Sequence, residues 1–115
     1  MKHSLFIIIL LSLFSCNQSA DKPPVDLIPQ DKMISLFVDI HVADAMVEHK
    51  FGTQNPNLAL SNALYERIYH NHGVSAAQYK SSYKYYEVHP DLMDKMYTQV
   101  ITELSKEEAL MGKAK

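Results

Sequence analysis

The chain has 115 residues, with 11 Lys and Arg against 13 Asp and Glu, a formal charge of −2, one Cys and no Trp. That balance excludes a basic nucleic-acid-binding surface, and a single Cys excludes both an intramolecular disulfide and a Cys-rich metal motif. Three Gly, at 52, 73 and 112, leave no Gly-rich phosphate loop.

The chain opens on Met1-Lys2-His3, a short basic start, followed by the apolar run Leu5-Phe-Ile-Ile-Ile-Leu-Leu-Ser-Leu-Phe14. Ten helical residues cover about 15 Å, half of a bilayer's hydrocarbon core, so this run reads as the apolar region of a signal peptide and not as a spanning helix. Leu13-Phe14-Ser15-Cys16 then resembles a bacterial lipobox, with Leu three residues before the cleavage point and a small residue just ahead of Cys16. Such signals imply a diacylglycerol on the Cys16 thiol, cleavage before Cys16 and an acyl chain on the new amino group. Two or three chains anchor firmly, since each buried CH2 contributes about 0.8 kcal/mol. Without residues 1–15 the formal charge becomes −3, ten Lys and Arg against thirteen Asp and Glu.

Residues 16–28 read as a flexible, lipid-anchored tether. They lack periodicity, and Pro23-Pro24 favours an extended polyproline conformation. On this reading the stretch is a spacer and carries no site.

Four helices are expected in residues 29–112, and no segment reads as a strand. The first spans 29–49, opening at Pro29 with Asp31 in its first turn to complement the helix dipole. Residues 52–57 hold Gly, two Asn and a Pro and form a loop. The second helix covers 58–72, with Gly73 as its left-handed terminator. Ser75 caps the third, Gln78 completes a capping box, and Val74 with Tyr79 fits a hydrophobic staple. Tyr79, Ser82, Tyr83 and Tyr86 share one face of that helix, leaving Tyr85 on the far side. His89-Pro90 ends it, because a residue before proline is pushed out of the helical region. The fourth helix reopens at Pro90-Asp91, carries the stripe Met93, Met96, Tyr97, Val100, Ile101, Leu104 and Met111, and ends near Gly112. Short connections argue for a small, compact all-α bundle of about four helices, packed antiparallel.

Several stretches together resemble a known family: Leu27-Ile-Pro-Gln-Asp-Lys-Met33, Asp39-Ile-His-Val-Ala-Asp-Ala45, His72-Gly-Val-Ser75, Tyr79-Lys-Ser-Ser-Tyr-Lys-Tyr-Tyr86, His89-Pro90 and Tyr97-Thr-Gln-Val-Ile101. Their order and spacing resemble the short lipoproteins of Bacteroidota-type bacteria that carry a domain of unknown function (the 4296 family). The resemblance runs from about Leu27 to Glu108. It implies an envelope lipoprotein and supplies no catalytic residues. Surface export in those bacteria is associated with acidic residues close behind the anchored Cys. Here Asn17-Gln-Ser-Ala20 are neutral and only Asp21 is acidic. The expected location is therefore the outer membrane, facing the periplasm.

The first helix holds one unusual constellation. At about 100° per residue, His41, Asp44 and Glu48 fall in the middle of its apolar arc, flanked by Leu36, Ile40, Ala43 and Val47 on one side and Ile34, Val38 and Ala45 on the other. Buried carboxylates need partners. The favoured reading is a structural polar network in which Arg67, the sole Arg, neutralises Asp44 or Glu48, with His41 bonded to a carboxylate. A partner interface is the second reading. A metal site using His41, Asp44 and Glu48 with His70 or His72 is the third, disfavoured because the spacings of known helical metal sites are missing. The seven Tyr are expected to include an aromatic core of Tyr79, Tyr83, Tyr86 and Tyr97, with Tyr85 at the surface beside Lys80 and Lys84.

No pattern points to an enzyme. The lone Cys is used by the anchor, and no Ser sits in a nucleophile-elbow context. No cofactor is expected beyond the covalent lipid on Cys16, and nucleic acid is not a partner. The leading functional expectation is an envelope lipoprotein that acts by binding, as an accessory subunit or adaptor of a cell-envelope assembly. The alternatives are a periplasmic chaperone-like module and, behind it, a metal-binding helical lipoprotein.

Overall fold

The computed structural model describes residues 22–53 and 57–114, so the leader, Cys16 and the start of the tether lie outside the described residues. Four helices follow in order: α1 Gln30–Phe51, α2 Leu58–Asn71, α3 Ala76–Glu87 and α4 Pro90–Lys113. No strand occurs among the described residues. The all-α reading therefore holds, and each expected helix is present with its ends moved by one or two residues.

Local chemistry places most boundaries. Pro29 is extended (ψ 153°) and caps α1 from outside instead of serving as its first helical residue. Asn57 caps α2 by accepting from the Leu60 N–H at 3.0 Å. At the other end of α2, Gly73 takes φ +64°. Its N–H donates to the His70 carbonyl at 3.1 Å while Val74 N–H reaches back to the Tyr69 carbonyl at 3.0 Å. That pair of bonds is a Schellman turn, and it requires the left-handed residue that Gly supplies. Ser75 Oγ then accepts from Gln78 N–H at 3.0 Å, which starts α3 where the capping signal put it.

α1 is the hub. α2 and α4 both pack against it, and α3 bridges from α2 to α4. Asp44 meets Tyr65, and Asp39 meets His72, so α2 runs antiparallel to α1. Tyr97 lies against Phe37 and His41, while Glu103 and Glu107 share a groove with Asp31 and Ile34, so α4 is antiparallel to α1 as well. The core comprises Ile28, Met33, Ile34, Leu36, Phe37 and Val38 with Tyr86, Met96 and Val100, and Leu27, Tyr69, Tyr79, Tyr83, Met93, Tyr97 and Leu104 pack around it. Of the expected α4 stripe, Ile101 and Met111 are exposed instead: Ile101 sits on the outer side of α4 beside buried Val100, and Met111 lies beyond Leu104, the last half-buried residue of the helix.

The tether reading needs correction at its C-terminal end. Ile28 is fully buried. Its N–H donates to Ser82 Oγ at 3.0 Å, and its carbonyl accepts from the Tyr86 hydroxyl at 2.7 Å. Gln78 Nε2 donates to the Asp26 carbonyl at 2.8 Å, and Leu27 N–H closes a turn on the Pro24 carbonyl at 3.1 Å. The segment before α1 is therefore bound along α3. Its apolar pair Leu27-Ile28 and the polar groups of α3 hold it there, which no helical periodicity could report.

Candidate binding surface

Phe37 is buried at the centre of an aromatic assembly drawn from all four helices. Its ring stacks on Tyr97 at 5.3 Å and meets Tyr79 and Tyr83 edge-on at 6.4 and 6.1 Å. Tyr79 continues to Tyr69 at 5.1 Å, and Tyr97 to His41 at 6.1 Å. Both geometries are favoured by the ring quadrupole. Phe37 seals the inner side, while Tyr69, Tyr79, Tyr83 and Tyr97 are only half-buried. The expected aromatic core is thus divided. Tyr86 alone is fully inside, and the other three pack on Phe37 and stay partly buried. Tyr85 is not on a free far side either: it is half-buried, with His89 packed on its ring at 4.3 Å.

Tyr65 extends this surface by donating a very short hydrogen bond to the Asp44 carboxylate. That bond, with burial and the Asp44 charge behind it, pushes the Tyr65 phenol up to about 12. Burial, and then the neighbouring Tyr69, Tyr97, Tyr83 and Tyr65, raise Tyr79 further. Burial does the same for Tyr69 and Tyr97. Around neutral pH these phenols stay protonated, offering hydroxyls that both donate and accept above an apolar base.

His41, Asp44 and Glu48 rim this surface, and all three are exposed. The expected buried network does not form. In α4 the ring of Tyr97 meets His41, and Asp44 and Glu48 face the groove beside α2, so all three side chains stay in water. Arg67 is exposed and pairs with neither carboxylate. It sits two residues from Tyr65, about 200° around α2, and so points away from Asp44. Asp44 and Glu48 do share a groove of about 380 Å³ between α1 and α2, with Ser61, Asn62 and Tyr65.

The metal grouping is not assembled. No three His, Cys, Asp or Glu come together as ligands among the described residues. His72 instead lies 2.6 Å from Asp39, and its carbonyl accepts from Lys32 Nζ at 3.3 Å. This contact ties the α2–α3 turn to α1, and the pairing of residues 33 apart was not legible from periodicity. His72 and Asp39 also line a second groove, of about 500 Å³, between α1 and α4.

The geometry defines a small all-α domain with a partly buried tyrosine cluster built jointly by its four helices. The chain belongs to the family described as a domain of unknown function (DUF4296), whose model matches residues 24–109. That span starts at Pro24, where the segment bound to α3 begins. No curated protein and no solved structure matches the chain.

Proposed function

We propose that this protein is a lipid-anchored envelope component that acts by binding, as an accessory subunit or adaptor of a cell-envelope assembly, on the periplasmic side of the outer membrane. The observation that carries the binding part is the tyrosine surface. Tyr69, Tyr79, Tyr83 and Tyr97 stay partly in water although the core is adjacent. Rigid aromatic side chains with a polar tip are enriched at protein interfaces, because they bring large contact area at little cost in conformational entropy. His41, Asp44 and Glu48 supply a polar rim of the kind that sets partner choice. The anchor rests on the lipobox-like stretch ending at Cys16 and the neutral residues behind it.

A photo-crosslinking phenylalanine analogue at Tyr83 or Tyr97, in cells, tests this reading. One discrete adduct with an envelope protein is expected, absent when the same group replaces Lys95 on the exposed side of α4. A ladder of many unfolded outer-membrane proteins would favour the chaperone-like alternative, and no adduct at either site would defeat both. The anchor is tested separately. Cys16→Ser should abolish lipid labelling and leave the precursor uncleaved, whereas normal processing and membrane retention of that variant would show the leader to be misread.

A further inference from the structure

α3 is held in the fold differently from the other helices. Residues 76–87 contain no Leu, Ile, Val, Met or Phe. α3 does not pack helix to helix on the hub α1 and reaches it through long side chains, the rings of Tyr79 and Tyr83 against Phe37. Its two buried residues are Ser82 and Tyr86, and both grip the segment before α1. Ser82 accepts from the Ile28 N–H, Tyr86 donates to the Ile28 carbonyl, and Gln78 donates to the Asp26 carbonyl. Gln78, Ser82 and Tyr86 recur at four-residue spacing, so they form one stripe along the helix. Tyr79 and Tyr83 stand one residue further on, about 100° around it.

The hold is mutual. A helix of 12 residues is marginal by itself. The aliphatic side chain that α3 lacks comes from the bound segment: Ile28 is fully buried and shares a core cluster with Tyr86. Without α3, in turn, the Ile28 N–H and carbonyl lose both of their partners. α2 and α4 need no such intermediary, since each packs directly on α1. Both ends of α3 are turns, at Gly73 with φ +64° and at His89-Pro90. A piece joined to the rest in this way opens as a unit, at a lower free energy than global unfolding.

We propose that residues 24–28 and α3 form a latch that opens and closes as one body and thereby switches the tyrosine surface. Closed, the latch holds Tyr79 and Tyr83 edge-on against Phe37. Open, those two rings leave, while Tyr97 stays stacked on Phe37 through α4. The surface is complete in the closed state alone. The bearing of the latch on binding rests on that surface being the docking face proposed above. Residues 24–28 also join the helices to the Cys16 side of the chain, so the same contacts couple the surface to the anchored tether.

Nuclear magnetic resonance on the full-length, isotopically labelled chain in detergent reads both the unit and the switch. In hydrogen exchange, the Ile28 amide and the amides of residues 80–87 should share one opening constant. It should be at least about tenfold larger than that of Met33–Val38. Val47→Ala truncates a buried side chain on the α2 side of α1, so it should raise the opening of Met33–Val38 and leave Ile28 and α3 unchanged. Combining Ser82→Ala with Tyr86→Phe removes both grips on Ile28 without deleting a ring. In that chain the ring signals of Tyr79 and Tyr83 should lose their displacement by Phe37, and Tyr97 should keep its own. Opening of α3 together with Met33–Val38, or of Ile28 without α3, overturns the proposal. So does a double variant in which Tyr97 changes along with the other two, or in which none of the three changes. These readouts need no partner. An absent crosslink at Tyr83 and Tyr97 would therefore defeat the binding reading and leave the latch standing, and a failed latch would leave a crosslink standing.

Discussion

Ser82 and Tyr86 each do a task that their residue types do not announce. Both sit on the inner face of α3 and hold the backbone of Ile28, one accepting from its N–H and the other donating to its carbonyl. Removing either partner leaves a buried backbone group unmatched, so Ser82→Ala and Tyr86→Phe should each cost about 1–3 kcal/mol in urea unfolding. Arg67 is the opposite case. It is exposed and pairs with neither Asp44 nor Glu48, so Arg67→Leu should change stability by less than about 0.5 kcal/mol in the same assay. Tyr65 gives a dependence on pH. Its phenol titrates near 10 in the unfolded chain and at about 12 in the folded one. Above pH 10 the unfolded chain surrenders this proton first, so the contribution is complete below that pH and fades as pH rises towards 12. Urea midpoints should fall between about pH 10 and about pH 12, and Tyr65→Phe should flatten part of that fall.

At the scale of elements, punctuation by caps and glycines governs more than helix propensity does. Gly73 is the tightest requirement, because the Schellman turn that closes α2 and aims α3 needs φ +64°. A Cβ added there meets nothing within 4 Å, so Gly73→Ala probes the backbone alone and should lower stability by about 1 kcal/mol in thermal unfolding. Ser75 follows two residues later, and its Oγ accepts from the Gln78 N–H in the first turn of α3. These two residues were readable because each acts through neighbours one to five positions away. α1 shows where such reading stops. Its apolar arc looks continuous from Met33 to Val47, but Met33 to Val38 lie in the core with side chains of α3 and α4, and beyond His41 only Ala43 and Val47 are buried. One uniform amphipathic pattern therefore serves two environments, and His41, Asp44 and Glu48 fall in the uncovered sector.

For the whole molecule, the domain begins before its first helix. Ile28 belongs to the core, so Ile28→Ala should cost about 2–5 kcal/mol, as a large core truncation does, although the residue lies outside every helix. A loss below about 1 kcal/mol on urea unfolding would show the bound segment to be dispensable. The sequence by itself determined the all-α class, the number of helices, the cap at Ser75, the glycine at 73 and the break at His89-Pro90. All of these depend on periodicity or on chemistry between near neighbours. Only the tertiary structure decided that residues 24–28 pack on α3, that Tyr69, Tyr79, Tyr83 and Tyr97 gather around Phe37 with their outer sides in water, and that Asp39 meets His72. Those contacts join residues about 30 to 60 positions apart, and they depend on helix lengths and crossing positions. α4 is long enough to outrun the core, yet the His41–Asp44–Glu48 rim stays exposed beside it, and no local pattern carries that outcome.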